Sequence, residues 1–244
     1  MPSSPSRADR LAALVARPFA HRGLHGHDGL IENTRGAFEA AIAAGSGIEL
    51  DTQVSADGDA AVIHDYALDR LAGLPGRVCG LAMRELERIR IGRTGETIPS
   101  LEQVLALIAG RAPLLIEVKS PGRQVAPLCE AVNRALRSYI GAVAVMSFNP
   151  EIGRWFRSHA PDVLRGLVVT EEGKKGFRGR IERHLSLRVA KPDFLAYDVR
   201  DFPSRFASGC RAGGMPVLTW TVRTEADRAR AAANADQIIY EVPA

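Results

Sequence analysis

Cysteine is scarce in this sequence, and long apolar runs are absent from it. The three cysteines are odd in number and far apart, and no CxxC pair occurs, which supports neither a disulfide framework nor a structural zinc site. No apolar run approaches the ~20 residues of a membrane-spanning helix. The N-terminal apolar stretch Leu11–Ala16 is short and ends at Arg17, which makes a poor secretory signal. We therefore expect a cytoplasmic protein.

The sequence also lacks a charged block, a low-complexity segment and a clear linker. Its formal net charge is +4, but the basic residues are scattered and no basic stretch is interleaved with aromatics. This distribution gives no support to nucleic-acid binding, whereas mild basicity suits a small anionic substrate. A chain of 244 residues is long enough for two small domains or for one large barrel.

Short β-like runs alternate with amphipathic helical stretches along the whole chain. The eight runs are RPFAH, GIELD, PLLIEVK, AVAVMSF, LRGLVVT, DFLAYDV, MPVLTWTV and DQIIYEV. Helices are predicted between them, for example over Thr34–Ala44 and Ser100–Ala109. This alternation predicts an α/β fold, a (β/α)8 TIM barrel, with residues 1–244 as a single domain. A doubly wound sheet is the alternative, but HRGLHGHDG after the first strand is not a GxGxxG loop.

The second predicted strand is followed by a hairpin and then by an irregular segment. Asp57-Gly58 separates two short β-like runs, which is typical of a β-hairpin. The hairpin would bring His64 back towards the end of the second strand. Residues 66–97 are rich in glycine and match no regular strand. We interpret them as a small insertion with one short helix around Ala82–Arg90.

Acidic side chains end two of the predicted strands. In IELD, Glu49 and Asp51 share one face, and in IEVKS, Glu117 and Lys119 do the same. The other face of both strands is apolar and suits packing on helices, so the charged side chains should face the barrel mouth. Three carboxylates there would repel one another without a cation, and an all-oxygen set suits Mg2+ or Ca2+. The structural alternative is a buried ion-pair network in which Lys119 bridges Glu49 and Glu117. Burying charged residues from two strands without a ligand costs much free energy, which disfavours this alternative.

Two histidines accompany these carboxylates. His21 and Arg22 end the first strand, and His64 ends the hairpin. Two histidines can share acid and base roles near neutral pH, while Arg22 and Lys119 can hold an anionic oxygen. Together with a bound metal ion, these groups fit phosphodiester cleavage.

A rival metal site would use His25 and His27, which form an HxH after the first strand, as in metal-dependent amidohydrolase barrels. Such a site also needs histidines at later strand ends and an aspartate after the last strand. His159 and His184 fall in predicted helices instead, and the last strand continues as IIYEVP. We therefore expect His25 and His27 to be exposed loop residues.

The order of several short motifs resembles the glycerophosphodiester phosphodiesterase family. HRG is followed by ENT, AF, ELD, DG, HD, EVKS, SFNP and TWTV over nearly the whole chain, from His21 to about Val242. The resemblance implies a (β/α)8 barrel with an insertion after the second strand. It also implies a divalent metal and hydrolysis of glycerophosphodiesters to sn-glycerol 3-phosphate and an alcohol.

The resemblance implies roles for individual residues, which fall into four groups. Glu49, Asp51 and Glu117 would bind the metal, and His21 and His64 would be the general acid and base. Arg22 and Lys119 would bind the phosphate, and Phe148 and Trp220 would line the glycerol or leaving-group side. Each of the two aromatic residues could equally be an ordinary core residue. Glu32 and Asn33 of ENT would support the site from behind while capping the helix near Thr34. The mechanism would pass through a cyclic phosphate formed by the glycerol 2-hydroxyl.

The sequence departs from the family pattern at Ala72, Arg223, Tyr240 and Glu241, which bears on substrate preference. A phospholipase-D-like barrel enzyme acting on membrane (lyso)phospholipid headgroups is the main alternative function. It needs an apolar lip, which Leu11, Leu14 and Val15 could supply, although these residues suit a cap on the barrel bottom better. A non-catalytic binding protein is a further alternative. We expect a monomer or homodimer without membrane contact.

Overall fold

The computed structural model describes residues 6–242, and these fold around one closed sheet. Nine strands are present in the described part of the chain. In chain order they are β1 Phe19–Ala20, β2 Gly47–Val54, β3 Ala60–Val62, β4 Leu114–Val118, β5 Val143–Ser147, β6 Leu164–Val169, β7 Phe194–Asp198, β8 Val217–Val222 and β9 Gln237–Tyr240.

Eight of these strands are parallel and close into a barrel. Each of β2 and β4–β9 pairs with its neighbour, and β1 pairs with both β2 and β9, so that Phe19 lies opposite Gly47 on one side and Ile239 on the other. The strands are nearly continuous apolar runs because the interior covers one face and helices cover the other. The predicted (β/α)8 TIM barrel is confirmed.

Ten α-helices surround or extend the barrel in the part of the chain that the structure describes. They are α1 Arg7–Leu14, α2 Arg35–Ala43, α3 Asp69–Ala72, α4 Met83–Leu86, α5 Leu101–Ile108, α6 Ala126–Leu136, α7 Pro150–His159, α8 Phe177–Ala190, α9 Arg205–Ala212 and α10 Glu225–Asn234. Short 3₁₀ turns occupy Val78–Gly80 and Val199–Asp201. The predicted capping box of α5 is present, because the Ser100 hydroxyl accepts the Gln103 N–H.

The predicted hairpin is also present and carries the chain back along β2. β3 pairs with β2 in antiparallel orientation, with Thr52 opposite Val62, and Gln53 Nε2 donates to the His64 carbonyl oxygen at 2.7 Å. The helix predicted around Ala82–Arg90 is shorter than expected and spans only Met83–Leu86. It ends early because the chain turns into an antiparallel bridge between Arg90 and Thr97.

Helix α1 covers the end of the barrel opposite the carboxyl ends of the strands. Leu14 is fully buried in the interior cluster beside Phe19, and Arg7 forms a forked ion pair with Asp193, just before β7. The N-terminal residues therefore cap the barrel bottom. The alternative in which they form an apolar lip at the active-site mouth is wrong. Among residues 6–242, no helix is long and apolar enough to cross a membrane.

Candidate active site

Three carboxylates meet at the carboxyl ends of β2 and β4. Strand pairing places Asp51 opposite Glu117, and Glu49 lies on the same face because side chains alternate along β2. One carboxylate oxygen from each residue lies within 4.8 Å of the other two, and all three side chains are buried. The predicted juxtaposition of these residues is therefore observed.

The electrostatics of this carboxylate cluster favour a cation. Glu49 Oε1 is buried without a hydrogen-bond partner among the described residues. Burial, with Asp51 and Glu117 close by, raises the pKa of Glu49 well above its usual range, and burial also raises the pKa of Glu117. A hard divalent ion bound to the three oxygens would remove both the repulsion and the unpaired acceptor. The donor set thus fits Mg2+ or Ca2+.

Lys119 pairs with Glu117, as the ion-pair alternative expects, but its second partner is Asp51 and not Glu49. Its Nζ lies 2.8 Å from Glu117 Oε1 and 3.2 Å from Asp51 Oδ1. Asp51, and not Glu49, lies opposite Glu117 in the strand pairing, which places the Asp51 carboxylate within reach of Lys119. Burial would raise the pKa of Asp51, but Lys119 and Arg22 outweigh burial and lower it. The alternative of a Lys119 bridge between Glu49 and Glu117 is wrong.

Arg22 connects the cluster to the loop after β1. Its N–H donates to Glu49 Oε2 at 3.0 Å, its Nη1 donates to Glu32 Oε1 at 2.9 Å, and its Nε lies 3.2 Å from Asp51 Oδ2. Glu32 is held in place by a second arginine, Arg70, through both Nη groups. The Arg22 guanidinium is therefore fixed at the wall of the barrel mouth.

Glu32 contacts Arg22 and Asn33 contacts Asp51, but neither residue caps α2. The N-cap is Thr34, whose hydroxyl accepts the Ala37 N–H. Asn33 adopts a positive φ of 57°, and its Nδ2 donates to Asp51 Oδ2 at 2.9 Å. The left-handed turn thus directs the amide towards the carboxylate cluster and not towards the helix.

His21 lies beside the cluster and is anchored by a residue that the sequence analysis did not select. Its Nδ1 is 2.5 Å from Glu241 Oε1, and its Nε2 is 3.9 Å from Glu49 Oε2. Burial would raise the pKa of Glu241, but hydrogen bonds from His21 and Arg223 keep it below its usual range. An ionised carboxylate can only accept, so Nδ1 carries the proton and Nε2 faces the cluster.

His64 stands on the other side of the mouth with a similar arrangement. Its Nδ1 is 2.7 Å from Asp65 Oδ1, and Arg70 in turn holds the Asp65 carboxylate through a short hydrogen bond. Burial lowers the pKa of His64, against the opposing effect of Asp51. Each histidine therefore has a carboxylate on Nδ1, which leaves Nε2 available to exchange protons.

Both histidines line one cavity of about 240 Å³ together with Glu49 and Glu117. Phe148 and Trp220 form its outer wall in an edge-to-face pair with ring centroids 5.4 Å apart. The indole Nε1 of Trp220 donates to the Ala196 carbonyl oxygen at 2.9 Å, whereas Phe148 is 45% exposed. Phe148 and Trp220 therefore line the opening and are not ordinary core residues.

His25 and His27 do not form the HxH site considered above, but one ligand atom each of His25, His21 and Glu241 lies within 4.8 Å of the others. His159 and His184 lie on the outer helices α7 and α8, as expected. His27 is partly buried and lies 3.2 Å from Asp28. The expectation that His25 is an exposed loop residue is wrong, because its Nε2 is buried; the loop folds back towards Glu241, which contributes to the charges acting on the His25 ring.

Comparison with known proteins agrees with this geometry. The model of the glycerophosphoryl diester phosphodiesterase family matches residues 21–244. A glycerophosphodiester phosphodiesterase of Caldanaerobacter subterraneus subsp. tengcongensis is 31% identical over 237 residues, which cover 92% of this chain and 93% of the relative.

Solved structures share the fold. An Oleispira antarctica phosphodiesterase, in complex with the product sn-glycerol-3-phosphate, superposes with a TM-score of 0.79 at 22% identity over 94% of each chain. A Thermotoga maritima glycerophosphodiester phosphodiesterase gives a TM-score of 0.73 at 24% identity over 91% of this chain and 92% of its own. The chain therefore belongs to the glycerophosphoryl diester phosphodiesterase family, and it is an enzyme of that kind.

Proposed function

We propose that this enzyme hydrolyses glycerophosphodiesters to sn-glycerol 3-phosphate and an alcohol, with one divalent metal ion, Mg2+ or Ca2+, held by Glu49, Asp51 and Glu117. The observation that carries the proposal is the buried, unpartnered Oε1 of Glu49 within a set of three carboxylates. Lys119 already pairs with Asp51 and Glu117, so the unpartnered Glu49 oxygen is the one that a bound cation would compensate.

The cavity suits a small phosphodiester. Its volume of about 240 Å³ accommodates a glycerol phosphate group. An open cavity of about 820 Å³, which shares His64, Glu117 and Lys119 with it, leaves room for the alcohol group of the diester. The Oleispira antarctica relative holds sn-glycerol-3-phosphate, which supports the same product here. Arg22 and Lys119 stand at the cavity wall beside the carboxylates, where their positive charges can hold the phosphate oxygens.

His21 and His64 would move the protons in two steps. One Nε2 takes the proton of the glycerol 2-hydroxyl, whose oxygen attacks phosphorus, while the other histidine protonates the departing alcohol. Water then opens the cyclic phosphate with the roles exchanged. When bound, the metal ion lowers the pKa of the attacking hydroxyl and offsets charge on the phosphate. Glu241 and Asp65 keep both rings oriented throughout.

Chelation tests the reaction and the metal requirement together. Glycerophosphocholine is incubated with the enzyme, and glycerol 3-phosphate release is measured before chelation, after it, and after Mg2+, Ca2+ or Mn2+ is added back separately. We expect activity to disappear with the chelator and to return with at least one ion. Undiminished activity in excess chelator would contradict the metal assignment, and choline phosphate as the product would contradict the bond assignment.

Glu241 should affect turnover through His21. Glu241→Gln keeps the shape of the side chain but removes the charge that stabilises a protonated His21, so we expect kcat to fall about 10-fold or more. Steady-state kinetics should show a smaller change in KM, because the phosphate-binding residues are untouched. Glu225→Gln on α10, where the side chain is 94% exposed, is the matched control. A variant that changes only KM would contradict a role in proton transfer.

A further inference from the structure

Helix α8 presents its largest apolar side chains to solvent. Phe177, Ile181 and Leu185 are 72%, 44% and 54% exposed, respectively. They are spaced four residues apart, so they lie on one face of the helix and form a continuous apolar stripe. An exposed stripe of this kind is unusual on an enzyme surface and marks a contact site.

On its inner face, α8 packs Leu187 against the barrel core, and the other inward residues are small or polar. The buried residues of this helix are Gly179, Arg183 and Ala190. Ala190 packs so closely on α7 that a Cβ added at Gly153 would lie 2.9 Å from the Ala190 Cβ. Arg183 donates to the Lys174 carbonyl oxygen at 2.9 Å and pairs with Glu171. Surface helices normally bury their apolar stripe, so barrel packing does not account for this one.

Arginines surround the stripe. At about 100° per residue, Arg178 projects on one side of the stripe and Arg180 on the other. Arg188 lies in line with the stripe, three residues beyond Leu185. All three are exposed, and none has a carboxylate oxygen within 4.0 Å among the residues that the structure describes. Residues 174–191 hold seven of the 32 Lys and Arg of the chain but only one of its 28 Asp and Glu. Three of the seven pair with carboxylates, so the positive charge of this face comes from the three unpaired arginines.

We propose that this face of α8, consisting of Phe177, Ile181 and Leu185 with Arg178, Arg180 and Arg188, binds an anionic lipid surface. The three apolar side chains enter the headgroup boundary, and the arginines pair with lipid phosphates. Exposed aromatic and aliphatic side chains can enter a headgroup layer, and unpaired arginines beside them can bind lipid phosphates. A second copy of the chain is disfavoured as the occupant, because it would place unpaired arginines against one another.

The position of the α8 face relates it to the cavity. α8 follows β6, whose carboxyl end lies at the barrel mouth, so Phe177 at the first turn of the helix is the end of the stripe nearest the mouth. Binding through this face would keep the mouth beside the headgroup layer while the helix lies along it. The proposal is independent of the reaction, because lipid binding is measured without substrate.

Co-sedimentation of the whole chain with vesicles tests the proposal. We expect binding to phosphatidylcholine vesicles that contain about 30% phosphatidylglycerol and weak binding to phosphatidylcholine alone. Binding should be lost at about 0.5 M salt, because salt screens exposed charges. The affinity of the triple variant Phe177→Ser, Ile181→Ser, Leu185→Ser for these vesicles should be lower by a factor of about 10 or more. The triple variant Arg178→Gln, Arg180→Gln, Arg188→Gln should lose the preference for phosphatidylglycerol.

The matched control is Ile140→Ser, because Ile140 is 90% exposed but lies before β5, at the bottom of the barrel. Its binding should equal that of the unaltered chain. All changed residues are exposed, so circular dichroism melts should be unaltered, and turnover of glycerophosphocholine in solution should be unaltered as well. Absence of vesicle binding would overturn the proposal. So would equal binding by the serine variant, or a dimer in sedimentation velocity that the serine variant abolishes.

Discussion

Replacing His64 with glutamine should lower kcat by a factor of about 10² or more, the usual contribution of a positioned proton carrier. The His64 Nδ1 is held by Asp65, and its Nε2 is left free at the mouth. Glutamine has no group that titrates, so it can neither take nor return a proton. The fold should be intact, because His64 is partly exposed and its contact with β2 is made by its own carbonyl oxygen.

Metal binding separates this role from a structural one. Titration calorimetry should show the same Mg2+ or Ca2+ affinity in His64→Gln as in the unaltered enzyme, since the three carboxylates are unchanged. His159→Gln, at the end of outer helix α7, should have normal turnover and serves as the matched histidine control. Unchanged kcat in His64→Gln would remove His64 from the mechanism, and a loss of metal affinity would assign it to the metal site instead.

Glu49→Gln should have opposite effects on stability and on metal binding. Without metal, the substitution removes one of three clustered charges and leaves a neutral side chain of the same shape, so the thermal midpoint should rise by about 2–4 °C for each kcal/mol of relieved repulsion. With metal, one anionic ligand is lost, and affinity should fall about 100-fold or more. Calorimetric titration and thermal melts, with chelator and with added ion, measure both effects.

Glu102→Gln is the matched control for Glu49→Gln. Glu102 is exposed on α5, so its substitution should change neither the midpoint in chelator nor the affinity for the ion. If Glu49→Gln bound the ion as tightly as the unaltered enzyme, the cluster would not be the metal site. A lower midpoint in chelator would instead mean that the Glu49 charge is already compensated within the protein.

The barrel and the carboxylate cluster could be predicted because both depend on local periodicity. Alternation along β2 and β4 fixes which side chains face the interior, and the parallel order of the strands brings their carboxyl ends together. The hairpin was predictable from Asp57-Gly58, because the type of turn sets how the two flanking strands pair. Each of these features is determined by a short, continuous segment of the sequence.

Features that depend on closure and register could not be predicted in the same way. Glu241 reaches His21 only because β9 pairs with β1 when the barrel closes. The closing of the barrel was therefore the one feature of the sequence prediction that could have placed Glu241 in the site. The pairing of Lys119 with Asp51 depends on how far β4 is displaced along β2. The apolar spacing on α8 normally indicates an inward face, and only the folded structure shows that this face is exposed, because Ala190 packs on α7 from the opposite side.

The mouth of the barrel is divided between the two halves of the chain. The groups that we assign to bond breaking, from His21 to Lys119, all precede α6, and only Glu241 joins them from the far end. Phe148 follows β5, and Trp220 lies on β8, so the aromatic wall of the cavity belongs to the second half. Substitutions in β8 or in the loop after β5 would therefore reshape that wall while every group that we assign to bond breaking stays in place.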